Sequence, residues 1–445
     1  MKSRPIEQTE RSLVRLLALA AIALFSLTLA GAAAADDKRG NGDDKRENGD
    51  RGGINLRSGA VFGMSNAISG NEVVAFSRAP DGTLTTAGRF STGGTGSGGF
   101  EDTANGLVLG SAESESSPNN FTGDHSLLYA TNAGSDTISV FRVERNRLRL
   151  VEVQASGGQK PVSVTVHDNV LYVLNSGETL DGLVPPNCSV LSDPAKQPAS
   201  ITGFRVSEGG QLDPIPGSTR TLSGDPDSGC AQASFNPAGT VLVVTERQAQ
   251  IAGQTGDDEG VINTFRVNAD GTLGRQRLYN ATGEGPFGFT FNKQGALLTS
   301  EQFDGLAGPG EGAAAGYSLA NDGTLTATSP SVGNGGTDSC WFVVTDNGRY
   351  GFVTSFFGTG QVSSYLVGEN GSLELLDGQA ADVEVTPGAS DLALSRNSRY
   401  LYQLNSFDGT ISAFAVGRDG SLTLIQKVAA HAPSAMAAPL GLAAS

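Results

Sequence analysis

The sequence predicts an all-β fold, a seven-bladed β-propeller of four-stranded antiparallel blades, on three observations. A tight turn ending in Leu recurs seven times from Gly59 onward. An aromatic residue precedes each of those Leu residues by seven or eight positions. The composition is rich in Gly (61 of 445 residues) with charged residues at only 17%. Short strands joined by Gly-rich turns belong to sandwiches, barrels and propellers. A fixed repeat belongs to architectures in which one closed domain grows by adding units.

The turn signal reads PDGTL to Leu84, ADGTL to Leu273, NDGTL to Leu325, ENGSL to Leu373 and RDGSL to Leu422, with two degenerate copies, RNRL to Leu148 and EGGQL to Leu212. Asp-Gly and Asn-Gly supply the positive φ angles that two-strand turns need. The paired aromatics are Phe76, Phe141, Phe204, Phe265, Tyr317, Tyr365 and Phe414. Strand alternation places each aromatic and its Leu on one inter-blade layer.

A second strand of each unit ends in a polar residue: Asn66, Asn132, Asn175, Glu246, Glu301, Ser355 and Asn405. Innermost strands are expected near residues 105–111, 161–166, 230–235, 286–291, 339–344 and 389–394. The first unit has none before it, and the run 438–444 follows the seventh unit with nothing to pair. That run is expected to complete blade one and close the ring, which removes exposed sheet edges. Trp341 is the only Trp and no Trp-Asp dipeptide recurs, which sets aside the propellers built on those signatures.

Residues 1–35 read as a secretory signal peptide. Lys2, Arg4, Arg11 and Arg15 form a positive region, an apolar stretch over residues 16–30 follows, and Ala33, Ala34 and Ala35 offer a cleavage site before Asp36. The apolar stretch is short for a membrane span, so a secreted or periplasmic protein without a membrane span is expected. Residues 36–58 read as a charged linker too polar to bury a core, and residues 59–445 as the propeller domain. The net charge of -16 argues against a nucleic-acid partner, since phosphate binding needs a positive surface.

Runs such as LYATN, DTISVFRV and DGTL resemble the lactonase seven-bladed propeller family, which includes 6-phosphogluconolactonase and carboxymuconate cyclase. The resemblance covers residues 59–445. It implies a site on one face near the central channel, built from a His-containing segment leading into blade four, an acid ending the second strand of that blade, and a Glu after the matching strand of blade five. Here the first segment reads Ser228-Gly229-Cys230-Ala231-Gln232, and the family's Pro-Arg-His reads Pro286-Phe287-Gly288. The carboxylates Glu246 and Glu301 remain, with Arg247 beside the first.

Two functional readings follow. In one, an exported propeller hydrolyses a lactone or related cyclic ester. Rim carboxylates Glu246 and Glu301 act as acid and base, and Arg247 or Lys160 steadies an anion. Two carboxylates close enough to share a proton would raise one pKa and replace the usual His. In the other, a non-catalytic propeller binds a protein, glycan or small acid on its loop-elaborated face, and both glutamates are solvated rim groups. Asn132, Asn175 and Asn405 end equivalent strands and either ring a ligand or cap turns. Lys160 either faces the channel mouth or lies at the surface. His125, His167 and His431 match none of the family's positions.

No cofactor and no metal site is expected; the run Asp257-Asp258-Glu259 matches no calcium loop. Insertions over 111–124, 176–200, 248–260 and 302–312 lengthen loops, three of them on one face. In an oxidising compartment two of three cysteines are expected to pair. Cys188, in the blade-three insertion, is assigned to Cys230, leaving Cys340 as a buried thiol. A monomer is expected.

Overall fold

The structure is a computed structural model. It describes residues 55–56, 59–99, 104–110, 125–177, 197–225, 229–247, 249–251, 260–303, 305, 308–358, 360–381, 388–431 and 441–445. Residues 1–35, expected to form a signal peptide, almost all of the segment 36–58, Cys188 and most of the insertions lie outside these residues. The compact unit Asn55–Ser445 is built from seven antiparallel sheets.

In blade two the strands run Leu107–Gly110, Leu127–Asn132, Thr137–Val143 and Leu148–Ala155, in that order from the axis outward. Blades four to seven repeat this order, with inner strands Gly229–Phe235, Pro286–Phe291, Thr337–Val344 and Ala389–Leu394. Blade three begins with Pro161–His167 and differs at its outer edge. There Leu212–Pro214 and Arg220–Thr221 each pair with Ser200–Val206, so the degenerate EGGQL unit gives a broken outer strand. All seven signal leucines start an outer strand.

Blade one closes as the sequence predicts. The strand Leu442–Ala444 pairs antiparallel with Ala60–Met64, matching Val61 to Ala444, Phe62 to Ala443 and Gly63 to Leu442. The amide of Ala60 donates to Ser445 Oγ at 2.9 Å, and that of Ser445 to the Ala60 carbonyl at 2.9 Å.

The core consists of layers between blades. Phe265 and Leu273 of blade four pack with Tyr172 and Leu174 of blade three. Phe76 and Leu84 of blade one pack with Tyr402 and Leu404 of blade seven. In both layers the aromatic–Leu pair faces the preceding blade, which is why the pair recurs as a unit.

The turns carry a second link. In PDGTL, Asp81 Oδ1 accepts from the amide and hydroxyl of Thr83 at 3.0 and 2.7 Å. Gly82 sits at φ 91°, and a Cβ there would come within 2.3 Å of the Tyr400 ring. Glycine is required both for the turn and for the approach of the preceding blade. Tyr402 Oη donates to the Gly82 carbonyl at 3.0 Å, and Tyr172 Oη to that of Gly271 at 2.7 Å. Each tyrosine thus staples its blade to the turn of the next.

Near the axis, inner strands are tied sideways. The amide of Ala104, leading into blade two, donates to the Ala231 carbonyl of blade four at 3.0 Å. Phe287, Cys340, Trp341 and Leu392 share a buried apolar cluster with both alanines.

Candidate functional site

The candidate face is the one where second strands end and inner strands begin. Its side chains are set by a register that repeats around the ring. The residue ending each second strand lies beside the third strand of its blade and the segment arriving from the previous blade.

Asn132 shows the pattern. Its Nδ2 donates to Thr137 Oγ1 at 3.2 Å and Ser139 Oγ at 2.7 Å, while Oδ1 accepts from Asn71 Nδ2 at 3.1 Å. Asn405 repeats it with Thr410 at 3.0 Å and Ser412 at 2.9 Å, and accepts from Gln403 Nε2 at 2.7 Å. Asn175 donates to the Ser156 carbonyl at 3.3 Å. All three are buried, and they bind their own scaffold. Of the strand-end asparagines only Asn66, at φ 50°, takes the left-handed backbone; Asn132 and Asn405 are placed by the Thr-x-Ser of the third strand.

Glu246 and Glu301 occupy this register in blades four and five and are fully buried, so neither is a solvated rim group. Glu246 Oε1 accepts from the Ser223 amide at 3.0 Å and from Asn263 Nδ2 at 2.7 Å, and Oε2 from Ser223 Oγ at 2.8 Å. Glu301 Oε1 accepts from the Gly283 amide at 2.9 Å and Thr282 Oγ1 at 3.1 Å. Its Oε2 accepts a short hydrogen bond from Ser331 Oγ. Ser331 is half-buried and lies on the outer strand of blade five. Burial pushes the Glu301 carboxyl above the usual carboxylate range, against the pull of its three donors. Tyr317 Oη sits behind, accepting from the Thr282 amide at 2.9 Å. Each glutamate is therefore held by its own arriving segment.

Arg247 lies over the Phe287 ring, 5.9 Å from its centroid, with Nη1 3.4 Å from Gln302 Oε1. Gly229 opens the space for it, since a Cβ there would meet the guanidinium at 2.5 Å. Gln302 Nε2 in turn lies 3.7 Å from Cys340 Sγ. Arg247, Gln302 and Cys340 thus run across blades four, five and six next to Phe287, the residue standing where the resemblance implies an arginine.

Lys160 is buried, at φ 51°, with its amide donating to Asp136 Oδ1 at 2.7 Å and its carbonyl accepting from Ser176 N at 3.0 Å. It is not a surface lysine. Its backbone fixes the start of the inner strand of blade three. Cys230 is buried, and Cys340 is a buried thiol. Cys188 and the run 257–259 lie outside the described residues. Among the described residues no group of three or more His, Cys, Asp or Glu side chains is placed to hold a metal. No helix among them is long and apolar enough to cross a membrane.

Sequence reasoning did not single out Ser331, Thr282, Gln302 or the inner-strand residues Gln232 and Asp391. The signal for the last two was there. Each is a polar residue inside an otherwise apolar or small-residue inner strand.

Residues 69–180 match the model of a family described as lactonase, 7-bladed beta-propeller. No curated protein matches the chain. Among solved structures, a candidate 6-phosphogluconolactonase from Bacteroides fragilis aligns with a TM-score of 0.62 at 16% identity, covering 87% of this chain and 97% of its own. A periplasmic gluconolactonase from Pseudomonas aeruginosa aligns with a TM-score of 0.61 at 14% identity, covering 87% and 98%. A hypothetical selenium-binding protein from Sulfolobus tokodaii aligns with a TM-score of 0.59 at 10% identity, covering 89% and 94%. Residues 69–180 thus resemble the lactonase propeller family, and the solved structures share the propeller fold around the ring.

Proposed function

We propose that the protein is an exported lactonase-type propeller that opens a small lactone or related cyclic ester, with Glu301 as its acid–base group. The observation that carries the reading is Glu301 itself. It is a buried carboxyl at the position of the family's glutamate, shifted upward by burial and hydrogen-bonded to the half-buried Ser331 hydroxyl. A buried carboxyl with a raised pKa holds its proton more readily than an ordinary carboxylate, which suits it to proton transfer, the role His fills elsewhere. Arg247, on the same face, supplies the positive charge that a developing carboxylate product needs. Glu246 is assigned to support, tying Ser223 of the arriving segment to Asn263 of the third strand of its blade.

The second reading, a non-catalytic propeller that binds a protein, glycan or small acid, is favoured by how the polar groups of this face are used. Asn132, Asn405 and Glu246 are engaged by their own scaffold, and Phe287 and Gly288 stand where the resemblance implies charged residues. Export rests on the signal-peptide reading of residues 1–35. A Cys188–Cys230 bond would then pin the blade-three insertion to blade four, since Cys340 remains a thiol beside Gln302.

The test is lactone hydrolysis by the purified protein over sugar and aliphatic lactones, followed by acid release. Glu301→Gln is expected to lower kcat by at least about 100-fold while the fold is kept. No turnover above background in the unmodified protein would leave the binding reading. Peptide mapping without reductant is expected to find Cys188 joined to Cys230, and a Cys230–Cys340 peptide would overturn that pairing.

A further inference from the structure

The inner strands carry a recurrent lateral link with one anomalous member. In blade three, Ser163 precedes Val164, which pairs with Val173, two residues before the strand-end Asn175. Its Oγ accepts from the Ala233 amide of blade four at 3.1 Å. In blade four, Gln232 stands at the same register. It accepts from the Phe289 amide of blade five at 2.8 Å and donates to the Phe289 carbonyl at 2.8 Å. Blade seven places Asp391 there, and the strand it faces is the ring-closing strand. The amides of Leu442, Gly441 and its own neighbour Leu392 face the carboxyl, while neither oxygen reaches full hydrogen-bond geometry.

Asp391 is fully buried. Four strands pack against its own: Thr337–Val344, Tyr350–Phe357, Tyr400–Asn405 and Leu442–Ala444. The titratable groups on them are Asp338, Cys340, Tyr350, Tyr400 and Tyr402, the Cys340 thiol lying 3.7 Å from Gln302 Nε2. Asp338 lies against Gly305, and the tyrosine hydroxyls donate to Arg418, Pro80 and Gly82 carbonyls in the turns of the next blade. The cluster around neighbouring Leu392 is apolar. No cation on these strands compensates a charge at Asp391, and an uncompensated buried carboxylate is far costlier than a neutral one.

We propose that Asp391 is a proton-operated clasp: as a neutral carboxyl it packs against the closing strand without burying a charge, and its ionisation favours release of that strand to water. Burial raises its pKa well above the ordinary carboxylate value. A group raised in the folded state stabilises that state fully below its unfolded pKa and loses the contribution as pH rises through the folded value. Closure therefore weakens toward alkaline pH, the opposite of the usual carboxylate effect.

The experiment is hydrogen exchange read by mass spectrometry on the full chain between pH 5 and pH 9, corrected for intrinsic exchange. The peptide holding residues 441–445 is compared with one spanning the inner strand of blade four, whose lateral links come from Ser163 and Gln232 and do not titrate. Protection of the closing peptide is expected to fall at least about tenfold over this range, while the blade-four peptide stays level. Asp391→Asn and Asp391→Ser, the latter copying blade three, are expected to flatten the closing-strand profile. A level profile in the unmodified protein, an equal fall in the two peptides, or an unchanged fall in either folded variant would each overturn the clasp. If neither variant folds, the comparison of the two peptides decides alone.

Discussion

At the residue scale, the same side-chain type does opposite things according to its register. Asp81, Asp270, Asp322 and Asp419 sit exposed in the hairpin turns, and each has its carboxyl pulled below the ordinary value first by the Thr or Ser hydroxyl two positions on. A group lowered in the folded state adds stability above its unfolded pKa of about 3.9 and loses it as pH falls through the folded value. Replacing all four by Asn, the residue blade six already uses at Asn370, is expected to flatten the fall of Tm below about pH 4 by lowering Tm near pH 7 toward its acid value, since the contribution of the ionised carboxylates is then missing at every pH. Melting curves across pH check this, and an identical acid slope in the variant would refute it. The positions of Glu246 and Glu301 were legible from their place at the ends of strands. Their burial was not, because the donors come from Ser223, Thr282 and Gly283, residues of arriving segments that no local pattern assigns.

At the element scale, the hairpin was the most legible part of the chain, since turn, aromatic and Leu are all local. Inner strands were located to within two residues for the same reason. What the repeat did not reveal is that the turns at Gly82 and Gly271 also serve as acceptors for the tyrosines of the blades before them. Tyr129 of blade two makes the point in reverse. It is buried with no partner for its hydroxyl, and the turn packed on its blade is the degenerate one at Gly210, against Leu127 and Val140. A degenerate turn thus costs a link in the neighbouring blade. Tyr402→Phe and Tyr172→Phe, which strand the Gly82 and Gly271 carbonyls, are expected to lower stability by about 1 kcal/mol each. Tyr129→Phe is expected to be neutral or slightly stabilising. Denaturant midpoints for the three variants separate these outcomes, and a loss at Tyr129 equal to the others would remove the staple account.

At the scale of the whole molecule, the seven blades share one mode of packing, so the ring is only as secure as its seam. The seam consists of three paired residues, the buried Leu442 and the contacts of Ser445. Removing residues 441–445 is expected to lower stability by at least about 3 kcal/mol, from one lost Leu burial and several lost backbone bonds. It also bares the edge of Ala60–Met64 and should promote self-association. Melting and sedimentation of the truncated chain test both effects, and an unchanged monomer with an unchanged Tm would show that the ring closes without the strand. Ala60 and Ser445 lie 385 positions apart, so this contact joins nearly the most distant points of the propeller. Loop closure over such a span comes late in folding. A polypeptide emerging in order from a ribosome or a translocation pore could stack seven partial sheets and still present an open flank to chaperones. Its passage from client to finished product would hang on the strand that follows the seventh blade and closes the first.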